Sequence, residues 1–177
     1  MADKNTENSN DKFDLDRFVK AQEDLYPTVL KELKNGIKLS HWMWFIFPQV
    51  YGLGQSKTTQ FYSIKTKEEA EAYLAHPILG ARLRECTALV LTHEDKTAAQ
   101  IFGSPDSFKL QSSMSLFASV VTEEKMFTAV LDKFYNNNQD ERTNKIILNF
   151  PTKRVRKTIP MKQGPGKIKT DDQSEIL

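Results

Sequence analysis

Residues 1–12 are mostly Asn, Asp, Lys, Ser and Thr with almost nothing to bury, and the pattern changes abruptly at Phe13. The polar stretch is expected to be disordered, because it cannot offset its own ordering entropy. From there Leu15, Phe18, Val19, Leu25 and Tyr26 recur at intervals that a helix gathers on one face. Pro27 suits the first turn of a second helix, since its missing N–H has no partner there anyway. That helix carries Leu30 and Leu33 and is predicted to stop at Asn35-Gly36. The densest apolar run, His41-Trp-Met-Trp-Phe-Ile-Phe47, closes at Pro48. Its length fits a buried strand or a short buried helix, and its helical neighbours favour the helix. Gln49–Tyr62 reads as a structured loop.

Beyond the loop the signals are again helical. Thr66 with Glu69 forms a capping box ahead of a helix over Lys67–Ala75. His76-Pro77 restarts a helix through Leu79, Leu83, Cys86, Val90 and Leu91, and Thr97–Phe102 makes a short turn ended by Gly103. Ser104-Pro105-Asp106 reads as a cap, a first-turn proline and an early acid, starting a helix with Phe108, Met114, Phe117 and Val120. Thr122 is expected to cap the next helix, with Met126, Phe127, Val130, Leu131 and Phe134 inward and a stop at Asn136. A last short helix spans Asp140–Leu148. The chain therefore reads as mainly α, an irregular single-domain bundle of about seven or eight helices. Its expected folded part is 13–150, flanked by 1–12 and by a disordered basic tail, 151–177.

Composition sharpens this in three places. The net charge of +2 hides an asymmetry: residues 151–177 hold seven Lys or Arg against three acids, so the remainder carries −2. A mildly acidic body is a poor match for the phosphate lattice of a duplex, so nucleic acid would be held only weakly and through the tail. Lys153-Arg-Val-Arg-Lys157 has the composition of a nuclear-import or nucleic-acid patch, or simply of a solvated tail. The single cysteine, Cys86, lies in an apolar run and reads as a small buried hydrophobe. The longest apolar run, Trp42–Phe47, falls far short of the roughly 20 residues a bilayer requires. The N-terminus lacks the apolar centre of a signal peptide. The expected compartment is the cytoplasm, with the nucleus open to it if the tail is a targeting signal.

Candidate chemistry is dispersed. Gly52-x-Gly54-x-Ser56-Lys57 can offer backbone N–H groups and a cation to an anion, although its spacing is not that of a phosphate-binding P-loop and a tight turn after Pro48 is the simpler explanation. His41 precedes Trp42, Trp44 and Gln49, where apolar rings can shift an imidazole towards acid–base use, or where it is a core histidine with a satisfied ring. His76 and His93 sit at helix ends, where a ring serves backbone groups. No histidine shows metal-motif spacing, so no metal site is expected. Lys109, Ser112 and Ser113 share a helix face within Lys109-Leu-Gln-Ser-Ser-Met-Ser115, which serves either a ligand or close helix packing. Arg82 and Glu85, three apart, read as a surface pair, with an anion-binding arginine the alternative. Nothing assembles a nucleophilic triad, so the catalytic residues and any cofactor stay unknown.

Several ordered blocks together resemble one family. They are His41-Trp-Met-Trp-Phe-Ile-Phe-Pro-Gln49, Gly52-Leu-Gly-x-Ser56, Ala72-Tyr-Leu-Ala-His-Pro-x-Leu-Gly80-Ala-Arg-Leu, Ile101-Phe-Gly103 and Lys109-Leu-x-Ser-Ser-Met-Ser-Leu-Phe117. The chain is similar over about residues 13–148 to the family catalogued as domain of unknown function 1810. The resemblance implies a mainly α-helical single domain and brings no catalytic assignment. It adds that His41, Gln49, Ser56, Lys109, Ser112 and Ser113 belong to the family's recognisable pattern. Some members carry the label calpastatin, an inhibitor class that is long, repeated and disordered, unlike this short, aromatic-rich chain. The basic tail reads as an addition to the family core.

The candidate ligand-binding set is His41, Trp44, Gln49, Gly52, Gly54, Ser56, Lys57, Lys109, Ser112 and Ser113. Aromatic rings, glycines, two lysines and hydroxyls from separate segments suit a small-molecule site, with a phosphate-bearing ligand the best fit and a hydrolase or transferase within its scope. That reading expects these residues to line one cleft. The alternative is a non-catalytic protein-interaction module anchored by an exposed Trp42 or Trp44.

Overall fold

A computed structural model describes residues 11–151, so the expectations for residues 1–10 and for the tail from 152 onward lie outside the described residues. The described chain is all α: α1 (Asp16–Glu23), α2 (Tyr26–Asn35), α3 (Met43–Ile46), α4 (Lys57–Phe61), α5 (Lys67–Ala75), α6 (Leu79–Leu91), α7 (Ala98–Phe102), α8 (Asp106–Val120), α9 (Lys125–Tyr135) and α10 (Glu141–Leu148). Among the described residues there are ten helices, close to the seven or eight expected, the surplus being short ones that punctuate the connections. One of these, α4, lies in the segment read as loop, where the Ser56 side chain accepts from Thr59 N and starts a turn. The helix expected over 41–47 shrinks to the single turn of α3.

Helix ends that depend on local chemistry fall where the sequence puts them. Gly36 closes α2 at φ 64°, and Asn136 closes α9 at φ 52°, both left-handed. Thr66 accepts from Glu69 N at the head of α5. The Glu69 carboxylate does not complete the box; it turns instead to Arg17 and to Lys65 N. Two expected caps are corrected. Ser104 does not cap α8, because Pro105 holds that position and its carbonyl accepts from Phe108 N and Lys109 N. Thr122 does not cap α9; Glu124 holds that position, its carboxylate turned outward to Arg84 at 2.8 Å.

α8 runs through the middle of the molecule, packed against α5, α7, α9 and α10. Phe117 lies between Tyr73 and Phe127, with ring centroids 5.6 and 5.7 Å away. Phe18, Trp42, Phe47, Leu83, Met114 and Val130 complete a core from which water is excluded. Each such side chain contributes about 1.5–3 kcal/mol by leaving water. Two residues expected on apolar helix faces turn outward instead: Phe108 is 65% exposed and Leu25 36%. Arg82 and Glu85 do not pair with each other. Arg82 stacks on Tyr26, whose hydroxyl donates to Glu85 at 2.5 Å, and Arg84 takes Glu124 as its ion partner. Cys86 is fully buried and its thiol is pushed up to about 12, chiefly by burial, so it is an inert core residue. Among the described residues, no helix is long and apolar enough to cross a membrane.

Candidate functional site

A cleft of about 370 Å³ opens where three segments meet: 49–59, the head of α8 and the head of α10. The first segment is closed at its base by a parallel bridge between Val50 and Ile64, with Tyr51 N donating to Ile64 O and Ile64 N to Gln49 O, each at 2.8 Å. This pairing fixes Gln49 at the rim. Gly52 then turns the chain at φ 101°, a conformation that L side chains rarely adopt. Gly54 passes so close to Thr59 that an added Cβ would stand 2.6 Å from Thr59 Cγ2. The Arg142 guanidinium donates to Leu53 O at 3.1 Å and ties the segment to α10.

The serines of α8 hold the third segment. Ser112 donates to Asp140 Oδ2 at 2.9 Å, and Ser115 Oγ accepts from Asp140 N at 2.9 Å. Gln111 donates to Asn138 O at 2.9 Å. The small polar run in α8 therefore docks the turn at 138–140, and Asp140 in turn caps α10 through Thr143 N at 3.1 Å. At the head of α8, Asp106 takes Lys109 Nζ on Oδ1 at 2.8 Å and Lys38 Nζ on Oδ2 at 2.6 Å. Burial opposes the Asp106 charge, but the hydrogen bonds from Lys109 and Lys38 outweigh it and hold the carboxyl below its usual range. Lys109 Nζ also lies 5.0 Å from the centroid of the Trp44 ring.

Of the residues singled out by sequence, Gln49, Gly54, Lys109 and Ser112 line this cleft. Trp44 is half-buried beneath Lys109. The others go elsewhere. His41 is exposed ahead of α3 and does not line the cleft. Gly52 serves its turn, Ser56 caps α4, and Lys57 is exposed at the first position of α4. Ser113 is fully buried, and its hydroxyl has no hydrogen-bond partner. Trp42, an anchor of the interaction-module reading, is fully buried and donates to Glu32 at 2.7 Å. His76 Nδ1 accepts from Leu79 N, and a His93 ring nitrogen lies 2.6 Å from Leu33 O, so both rings serve helix ends. Among the described residues, no group of three or more potential metal ligands gathers.

The structure adds Leu53, Pro105 and Phe108 as apolar walls, and Gln111, Asp140 and Arg142 as polar ones. Phe108 carried a misleading signal, since its place in a helical apolar pattern suits a core wall as well as a cleft wall. Arg142 carried none, because only the fold brings it to Leu53.

A family profile described as "Protein of unknown function (DUF1810)" matches residues 12–147, a span that includes every cleft residue. Among solved structures, the chain is similar to the conserved hypothetical protein Rv1873 from Mycobacterium tuberculosis. The two are 48% identical with a TM-score of 0.76, over 77% of this chain and 97% of that one. No curated protein matches.

Proposed function

We propose, from the premise that this chain belongs to the DUF1810 family of proteins of unknown function, that its cleft binds a small phosphate-bearing molecule. The observation that carries the reading is convergence: Gln49, Gly54, Lys109 and Ser112, from separate stretches of sequence, border a single cleft. Its volume of about 370 Å³ lies at the small end of the roughly 300–1,000 Å³ typical of ligand sites. The lining suits such a ligand. Leu53, Pro105 and Phe108 offer an apolar wall to a ring or sugar, Gln49 and Gln111 offer amide edges, and Lys109 and Arg142 offer cations to a phosphate. The folded unit proposed to carry the cleft is 13–150.

Binding comes before chemistry in this reading. The Ser112 hydroxyl already donates to Asp140, so a hydrolase or transferase step would have to draw on other groups or on the ligand. The test is a thermal-shift screen of the full chain against nucleotides, dinucleotides, sugar phosphates and metal ions. A ligand at a hundred times its dissociation constant should stabilise the fold by about 2.7 kcal/mol, and Lys109→Ala should remove the shift. A flat response to every phosphate-bearing compound would overturn the reading and turn the search to protein partners.

A further inference from the structure

We infer that Lys38, which does not line the cleft, sets its affinity for anions by serving as the buried counter-ion of Asp106, so that the charge of Lys109 stays available to the ligand. The inference rests on the reading of the cleft as an anion site and names the device that makes it one.

The geometry is a graded row of charges. Lys38, Asp106 and Lys109 side chains are 6%, 17% and 22% exposed, so the row runs from the interior to the cleft. Each lysine takes a different oxygen of the one carboxylate. Two cations sharing one anion leave a net positive charge, and only Lys109 borders the cleft. Were Asp106 and Lys109 alone, they would form a neutral pair with little to offer a phosphate. Lys38 is fixed in its inner place: it donates to Ser40 O at 2.7 Å and stands 5.0 Å from the centroid of the Trp42 ring. An ammonium carries three donors, and among the described residues Lys109 spends one hydrogen bond, on Asp106. Two donors are left to a ligand without breaking the row.

Charge balance separates this role from a structural one. The probe is inorganic phosphate, titrated into the full-length protein and followed by 31P NMR, with thermal unfolding of each variant recorded alongside. Lys38→Met should weaken phosphate binding by about tenfold or more, the order expected when an anion meets a neutral pair rather than a net cation. Lys38→Arg keeps the charge and should stay within about threefold of the wild type. The decisive variant is Lys38→Met with Asp106→Asn, which removes one charge of each sign and should return affinity to within about threefold of the wild type. Lys109→Met should abolish binding in every background. If Lys38→Met binds phosphate as tightly as the wild type while Lys109→Met does not, the inference is overturned and the cleft reading stands. A double variant as weak as Lys38→Met also overturns it, by making Lys38 a merely structural residue. If the wild type binds neither phosphate nor any phosphate-bearing compound, both readings fall together.

Discussion

Ser112 and Asp140 are joined by a 2.9 Å hydrogen bond that ties the middle of α8 to the head of α10 at the cleft. The same Asp140 oxygen accepts from Thr143 N and the Thr143 hydroxyl, so one carboxylate both caps α10 and anchors it to the core helix. Asp140→Ala should therefore cost about 2 kcal/mol, combining a lost cap with an orphaned buried hydroxyl. Ser112→Ala should cost about 1 kcal/mol. Urea unfolding of both single variants and the double should give a coupling of about 1 kcal/mol. Strict additivity would show that each residue acts through other partners.

How much of this was legible in sequence depends on the reach of the interaction. Gly36, Asn136 and the Thr66 cap were readable because their partners lie within a few residues. The start of α9 was not, because Glu124 answers to Arg84 rather than to its neighbours. The same divide runs through the site. Lys109 and Ser112 were visible as polar residues in a helix otherwise given to the core. Lys38, Asp140 and Arg142 acquire meaning only when the fold brings them to Asp106, Ser112 and Leu53. Gly52 and Ser56 show the reverse case, since the same residue types also suit a turn and a cap, the places they hold.

Glu32 makes a pH prediction with a definite sign. Its buried carboxylate accepts from Leu39 N, Ser40 N, the Ser40 hydroxyl and Trp42 Nε1. Burial disfavours the charge, but these donors outweigh it and hold the group below its usual range. A depressed folded value contributes stability above the unfolded carboxylate pKa, and that contribution is lost as pH falls through the folded one. Glu32→Gln should cost roughly 3 kcal/mol at neutral pH. Its deficit against the wild type should shrink steadily below about pH 4.3. A deficit that stays constant from pH 7 to pH 3 would refute the assignment.

Gly80, in α6, meets the C-terminal end of α5 with no room for a side chain. A Cβ there would collide with the Leu74 carbonyl, a backbone group that cannot swing aside, and would crowd Arg84. Gly80→Ala, normally a gain in helix propensity, should instead destabilise by about 3 kcal/mol or prevent folding. Circular dichroism melts would settle the sign. A variant as stable as the wild type would mean that α5 and α6 can part at little cost.

Arg142 distinguishes a ligand contact from a scaffold contact. It is exposed, and its hydrogen bond to Leu53 O spans two walls of the cleft. A single exposed hydrogen bond contributes little to stability, at the low end of about 0.5–1.5 kcal/mol. Arg142→Ala should therefore melt near the wild-type temperature when unliganded. A phosphate-bearing ligand found by the screen loses a charge-assisted partner in that variant, so its dissociation constant should rise about tenfold. Arg142→Lys should recover only part of this, because a point charge cannot reproduce the planar fork of the guanidinium. Titrations of the three proteins, read by thermal shift, supply the comparison. Unchanged affinity in Arg142→Ala would confine the ligand to the Lys109 side of the cleft and leave Arg142 as the tie between Leu53 and α10.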